Sequence, residues 1–240
     1  MSTGGLTRRL LATADSTIPG SEPDTGGMSA PQENVWTSVT SRNPDHAVNY
    51  AERWRNMERM GHDIHGEARL IDAMAERGAR ILDAGCGSGR LGGYLARRGH
   101  SVIGIDLDPY LIEVAKEDHP LAQWVQGDLA TFQLQGPDGL ATFDHIVSAG
   151  NVMTFLAGHE RLPALTRIRE HLAFEGRFTV GFGAGRNYDF DEFEADANEA
   201  GLVIDARYSS WQLDPPADGF LVAILSRAER RDPSANISMA

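Results

Sequence analysis

Three carboxylates occupy equivalent places in this 240-residue chain. Asp83 ends the apolar pair Ile81-Leu82 and precedes Gly85, Gly87 and Gly89. Asp106 ends a second apolar strand, Ser101–Asp106, and Asp128 follows a third short strand, Gln123–Gln126. Glycines after a strand let the backbone turn tightly and let a ligand lie against the main chain. The helix N-terminus that follows offers unpaired N–H groups to a polar ligand. An acid about 20 residues further on can accept hydrogen bonds from both hydroxyls of a ribose. Asp83 is placed to bind an ammonium group, directly or through water. The three acids together suit one ligand with a cationic amino-acid end, a ribose and an adenine.

Other side chains could act beside them. His62 and His65 flank the glycine turn in sequence, and His65 is the candidate general base. They do not read as metal ligands, because no Cys or His cluster accompanies them. Cys86, the single cysteine, lies inside the turn and reads as a small buried residue rather than a nucleophile. Ala149 and Asn151 close a fourth strand on the side where open α/β sheets bind ligands. Arg186 and Tyr188 lie in the loop after the fifth strand, where such scaffolds carry selectivity. Arg186 is a candidate for a substrate anion. His145, within the fourth strand, reads as a hydrogen-bonded interior histidine.

These residues need a parallel sheet with helices between its strands. Strands are expected at Ile81–Leu82, Ser101–Asp106, Gln123–Gln126, Phe143–Ala149 and Arg177–Phe182, with helices at Leu91–Arg98, from Asp108 to about Asp118, at His159–Leu172 and at Asp191–Ala200. Asp108 is an N-cap with Pro109 at the first helical position. Leu202–Trp211 and Phe220–Ser226 are joined so closely that they must be antiparallel. The spacing predicts two further helices ahead of the sheet. In Asp45–Met60, Tyr50, Trp54 and Met57 share one face, as a core stripe, a lid over the ligand, or both. Glu67–Arg77 should end at Gly78. Arg53 and Arg55 read as solvated. Thr131–Ala141 is a turn-rich connection, and Phe174-Glu-Gly176 a turn into the fifth strand. The fold class is α/β: a doubly wound seven-stranded sheet, mostly parallel with an antiparallel C-terminal strand, in one domain with an N-terminal helical lid.

Gly87-Ser-Gly89-Arg-Leu-Gly92 also satisfies the G-x-G-x-x-G pattern, which leaves a nicotinamide oxidoreductase open. Asp83 counts against it, because an acid beside the turn would repel a pyrophosphate.

At Leu82-Asp-Ala-Gly-Cys-Gly-Ser-Gly89, Gly104-Ile-Asp-Leu-Asp-Pro109, Gly127-Asp-Leu129, Phe143-Asp144 and the strand after Glu175-Gly176, the chain resembles the class I S-adenosylmethionine-dependent methyltransferases of small-molecule type. The resemblance spans roughly residues 45–227. It implies S-adenosyl-L-methionine as cofactor, with S-adenosyl-L-homocysteine as product. It implies cofactor contacts from Tyr50, Asp83, Gly85, Cys86, Gly87, Gly89, Asp106, Leu107, Asp128, Leu129, Ala149 and Asn151. In it the acid after the third strand binds the adenine amino group, and the next backbone N–H a ring nitrogen. Substrate contacts are then expected from Arg186 and Tyr188, and no metal. No Asn/Asp-Pro-Pro-Tyr/Phe segment follows the fourth strand, which disfavours nucleobase and glutamine N-methylation. A non-catalytic cofactor-binding sensor or subunit is the other alternative.

Composition bounds the rest. Net charge is −12, with 41% hydrophobic residues. A nucleic-acid footprint needs a basic surface, so the expected partner is a small molecule, with neither nucleic acid nor membrane. One cysteine fits a reducing cytoplasm. Arg8-Arg9 followed by a short apolar run is too brief for an export signal. The expected organisation is a disordered tail at 1–33, a helical cap at 34–78, the cofactor-binding core at 79–227 and a flexible tail at 228–240. Met28 is a candidate alternative start. Neither the acceptor nor the oligomeric state is readable.

Overall fold

A computed structural model describes residues 33–231 apart from Asp138 and the side chain of Arg231. The expectations for the N-terminal tail, Arg8-Arg9, Met28 and residues 232–240 lie outside the described residues.

The sheet strands are β1 (Arg80–Ala84), β2 (Ser101–Asp106), β3 (Gln123–Gln126), β4 (Phe143–Ser148), β5 (Leu172–Gly183), β6 (Leu202–Tyr208) and β7 (Phe220–Arg227). They lie in the order β3-β2-β1-β4-β5-β7-β6. The first five run parallel, and β7 is antiparallel to both of its neighbours, β5 and β6. The strand order reverses at β1, so a crevice opens beside its C-terminal end, where ligands bind in this kind of sheet.

Alternation along the strands builds a core on each face. On one face, Leu82, Ile146 and Phe178 pack with Leu165 and Ile168 of α6 (Gly158–His171) and with Phe193 and Ala197 of α7 (Phe190–Glu199). On the other, Ile81, Val102 and Val147 pack with Ile71 of α3 (Gly66–Met74) and with Leu91 and Leu95 of α4 (Arg90–Arg97). Above them lies a lid made of α1 (Val35–Arg42) and α2 (Asp45–Arg59). Ala47 and Ala51 of α2 pack against Leu111 and Val114 of α5 (Pro109–Asp118), with Trp36 and Tyr50 alongside. Asp108 caps α5 as expected, accepting from the N–H groups of Tyr110 (2.9 Å) and Leu111 (3.1 Å).

Two expectations need correction, and two further segments carry structure that the sequence did not specify. α3 stops at Met74, not Arg77, because Arg77 folds back onto Asp72, donating to its carbonyl at 2.6 Å and pairing with its carboxylate at 2.9 Å. β5 starts at Leu172, so Phe174-Glu-Gly176 is an irregularity in the strand rather than a turn before it; the register to β4 shifts there. The connection at Thr131–Ala141 contains a two-residue hairpin pairing Gln135–Gly136 with Gly139–Leu140. Ala228–Arg231 forms a 3-10 turn, tied back by an Arg169–Glu229 ion pair, so the ordered fold runs past residue 227. Among the described residues no helix is long and apolar enough to cross a membrane.

Candidate active site

The glycine turn is pinned to the neighbouring strand from both sides. The N–H groups of Gly85 and Cys86 donate to the carbonyl of Ile105, at 2.8 and 3.0 Å. The N–H of Gly87 donates to Asp106 Oδ2 at 2.8 Å, and the N–H of Asp108 to Oδ1 at 2.9 Å. Each Asp106 oxygen thus accepts one backbone bond and keeps a second lone pair. Gly85 must be glycine: its φ is +82°, and a Cβ there would come within 2.3 Å of Val152. Asp83 is buried and accepts from the N–H of Gly92 at 2.8 Å, so one N–H of the first turn of α4 is taken by a protein carboxylate.

Beside this turn lies a trough with two lobes, which share Tyr50, Gly85 and Gly150. The first is lined by Gly87, Asp106, Leu107, Leu111, Gly127, Asp128 and Leu129, and closed by Asn34, Trp36, Phe155 and Leu156. It is narrow and largely apolar, with two carboxylates. Asp128 Oδ1 accepts from the N–H of Ala130 at 2.8 Å, which fixes that side chain on the lobe wall. The second lobe is roomier, about 400 Å³. Asp83, Cys86, Arg90 and Glu67 lie along it with Ala149 and Asn151, under Tyr50, Arg53, Trp54, Trp211 and Phe220.

Low dielectric raises the acids. Burial pushes the Asp83 carboxyl up to about 7, against the pull of the Gly92 N–H. Burial likewise holds Asp106 at about 6, opposed by the N–H groups of Asp108 and Gly87. Both prefer a partner that restores the charged form: an ammonium or a pair of hydroxyls. Burial raises the Cys86 thiol, with Asp106 and Asp83 adding to it, so it is no nucleophile.

The donor set therefore fits a nucleoside with a cationic amino-acid end. Gly85, Gly87, Asp106, Leu107, Asp128 and Leu129 meet at the first lobe, and Tyr50, Asp83, Cys86, Ala149 and Asn151 at the second. Asn151 also braces the rim: with φ +68°, it accepts from the N–H of Gly183 at 2.8 Å.

Four of the expected residues stand elsewhere. Gly89 lines neither lobe; a Cβ there would strike Trp124 at 2.9 Å, so it is a packing glycine. Tyr188, expected at the substrate, lines neither lobe. It is buried beside Phe182 and Phe193, and its hydroxyl donates to Asp196 at 2.5 Å. Arg186 is exposed on its loop and lines neither lobe. His65 lines neither lobe; it sits before α3 in a small recess that adjoins the second lobe at Trp54, Ser88 and Arg90, its ring against Tyr94 at 4.9 Å, and burial lowers its pKa. His145 is the interior histidine expected, 2.9 Å from Thr179 Oγ1, and burial depresses it to about 4.

Sequence reasoning missed three groups. Trp36, on a helix with no apolar stripe, closes the first lobe, and its indole N–H donates to Asp108 at 2.9 Å. Arg90 makes a two-pronged ion pair with Glu67 (2.9 and 3.1 Å), donates to the carbonyl of Ile64 and lies under the Trp54 ring at 4.3 Å. Burial works to lower this guanidinium, but Glu67 outweighs it, so the net shift is upward. Arg53 is exposed, as expected, and its guanidinium also lies over the rings of Tyr50 (5.3 Å) and Trp54 (5.5 Å) at the edge of the second lobe. The only signal for either arginine was its proximity in sequence to Trp54 or to the glycine turn.

Comparison with known proteins agrees with this geometry. A family described as "Methyltransferase domain" matches residues 81–176. The solved structure of a TehB-like SAM-dependent methyltransferase from Corynebacterium glutamicum is 53% identical, covering 77% of this chain and 100% of that one, with a TM-score of 0.73. Among curated proteins, magnesium-protoporphyrin O-methyltransferase of Rhodobacter capsulatus is 34% identical over 95 residues, covering 38% of this chain and 39% of that protein. Ubiquinone biosynthesis O-methyltransferase of Xanthomonas campestris is 38% identical over 96 residues, covering 38% of each. The chain thus spans about two fifths of the length of these curated relatives. The glycine turn, the paired acids and the antiparallel β7 carry the same conclusion as the Corynebacterium structure: the chain belongs to the class I S-adenosylmethionine-dependent methyltransferases.

Proposed function

We propose that the chain transfers a methyl group from S-adenosylmethionine to a small-molecule acceptor. The observation that carries this reading is the convergence of Asp106 and Asp128 on one lobe and of Asp83 on the adjoining one. In this reading Asp106 takes the ribose hydroxyls on its two remaining lone pairs. Asp128 and the backbone N–H of Leu129 read the adenine edge, between Leu107 and Leu129. Asp83 takes the ammonium. Bound there, the sulfonium supplies an electrophilic methyl carbon.

The chain's own part is alignment and exclusion of water. Tyr50 spans both lobes, and Trp54, Trp211 and Phe220 wall the acceptor side. Holding reactants in line supplies roughly 7–11 kcal/mol of a barrier of this kind. Of the acids that line the acceptor lobe, Glu67 is paired with Arg90 and Asp83 is assigned to the ammonium. A reducing, cytoplasmic setting fits the single buried cysteine. The printed names of the curated relatives support a small-molecule acceptor; the net charge of −12 opposes nucleic acid.

Calorimetric titration with S-adenosylhomocysteine and with NAD, followed by homocysteine-release assays on a panel of small acceptors, tests this reading. Saturable binding of the first ligand and turnover on at least one acceptor are expected. Tight NAD binding without affinity for S-adenosylhomocysteine would overturn it; binding without any turnover would favour a sensor.

A further inference from the structure

Beyond the second lobe lies an outer recess of about 320 Å³, between the loop ahead of α3 and the loop joining β6 to β7. It shares Trp54, Glu67, Arg90 and Trp211 with the second lobe, so those side chains stand between the two spaces. The recess adds Met57 and Ile64, and exposed Gln212 stands at its edge. The loop that presents Trp211 and Gln212 is held in a costly shape. Leu213 has φ +65°, in the left-handed region that a branched side chain avoids. Ser210 keeps it there: its carbonyl accepts from the N–H of Leu213 at 3.1 Å, and its hydroxyl donates to Asp214 at 2.8 Å. Gly181 on β5 makes room for Trp211, since a Cβ there would come within 2.4 Å of the indole. Backbone strain of this kind persists where its surroundings over-determine it, and it clusters at ligand sites.

Each charged side chain lining the recess is already matched. Arg69 takes both oxygens of Asp63, at 2.7 and 2.6 Å, and Arg90 takes both of Glu67, at 2.9 and 3.1 Å. What remains for a ligand is the apolar surface of Trp54, Met57, Ile64 and Trp211, with the neutral amide of Gln212. A charged group leaving water here would find no partner, whereas apolar surface gains by burial. We propose that the methyl acceptor is an uncharged, predominantly apolar molecule long enough to span both spaces. Its body rests in the outer recess, and its nucleophile passes between Trp54 and Trp211 into the second lobe. This rests on the reading of the trough as an S-adenosylmethionine site. The acceptor's lone pair forms the bond to the methyl carbon as the carbon–sulfur bond breaks. That bond's electron pair stays on sulfur, which becomes neutral, and the acceptor's proton passes to solvent.

The test is calorimetry on the full chain saturated with S-adenosylhomocysteine, using three probes: 4-phenylphenol, phenol and 4′-hydroxybiphenyl-4-carboxylate. The first is long and neutral, the second short, and the third carries a charge at its far end. 4-Phenylphenol is expected to bind saturably, at least tenfold tighter than either of the others. Met57→Asp places an unmatched charge in the recess and should weaken 4-phenylphenol at least tenfold; Met57→Ala, which only removes apolar surface, should weaken it less. Both variants should hold S-adenosylhomocysteine within twofold of wild type, which shows that they are folded. Equal affinity for the three probes would overturn the proposal. So would a carboxylate that binds as tightly as 4-phenylphenol, no binding of 4-phenylphenol to the loaded chain, or indifference of its affinity to Met57→Asp. Failure of the wild-type chain to bind S-adenosylhomocysteine would instead defeat the reading of the trough itself.

Discussion

At the scale of single residues, Asp106 is asked to do two things. It holds the glycine turn through Gly87 and the start of α5 through Asp108, and its outer lone pairs face the first lobe. Hydrogen bonds to a charged group contribute about 1.5–3 kcal/mol each. Asp106→Ala should therefore weaken S-adenosylhomocysteine by about 3 kcal/mol in a calorimetric titration; unchanged affinity would mean the ribose is held by other groups. His65 makes the opposite case. Its ring lies in a recess behind Trp54 and Arg90, outside the residues that line either lobe. His65→Ala should keep turnover on any accepted substrate within about twofold across pH, since general-base catalysis contributes 10²–10⁴-fold where it operates. A hundredfold loss, recovered at high pH, would restore it as the base.

At the scale of elements, what was legible in the sequence followed strand ends. Asp83, Asp106 and Asp128 were readable because each stands at or just past the end of a short strand, and parallel strands bring such ends to one edge. The misplaced residues share a different cause: loops and turns hide which way a side chain faces. Tyr188 looks like a loop residue in sequence, yet the loop folds inward and buries its ring against Phe182. Gly89 belongs to the motif as text, but what it answers to is Trp124, about 35 residues away, and that need is tertiary. α1 was invisible because Val35–Arg42 carries no buried stripe. It is held largely through one side chain, Trp36, which donates to Asp108 and packs on His46, Tyr50 and Phe155, and by Asn34, which donates to Glu160 at 3.0 Å. Helices without a packed apolar face draw little stability from their own propensity. The amides of α1 should therefore exchange early in the free chain and gain protection on adding S-adenosylhomocysteine, because Asn34 and Trp36 line the lobe that fills. Hydrogen exchange with mass spectrometry reads this directly; equal exchange in both states would mean that α1 does not close on the ligand.

At the scale of the whole molecule, the acids couple binding to pH. Burial raises Asp83 to about 7 and Asp106 to about 6 in the free chain. A bound ammonium and ribose favour the ionised forms, so binding must release protons wherever these groups are still protonated. Affinity is thus fully present above about pH 7 and is lost as pH falls through 7 and then 6. Between pH 8 and pH 5.5 the dissociation constant of S-adenosylhomocysteine should rise by about tenfold or more. Proton release should be visible as a buffer-dependent binding enthalpy near pH 6.5. A flat profile would place the charged ends of the ligand away from these carboxylates.

A single ligand spanning both lobes is what ties these residues together, and a crystal structure of the S-adenosylhomocysteine complex measures that directly. The account predicts both ribose hydroxyls on Asp106, the adenine amino group at Asp128 and the ammonium at Asp83, with Tyr50 lying across the middle. A ligand bound elsewhere, or reversed so that its adenine meets Asp83, would contradict it.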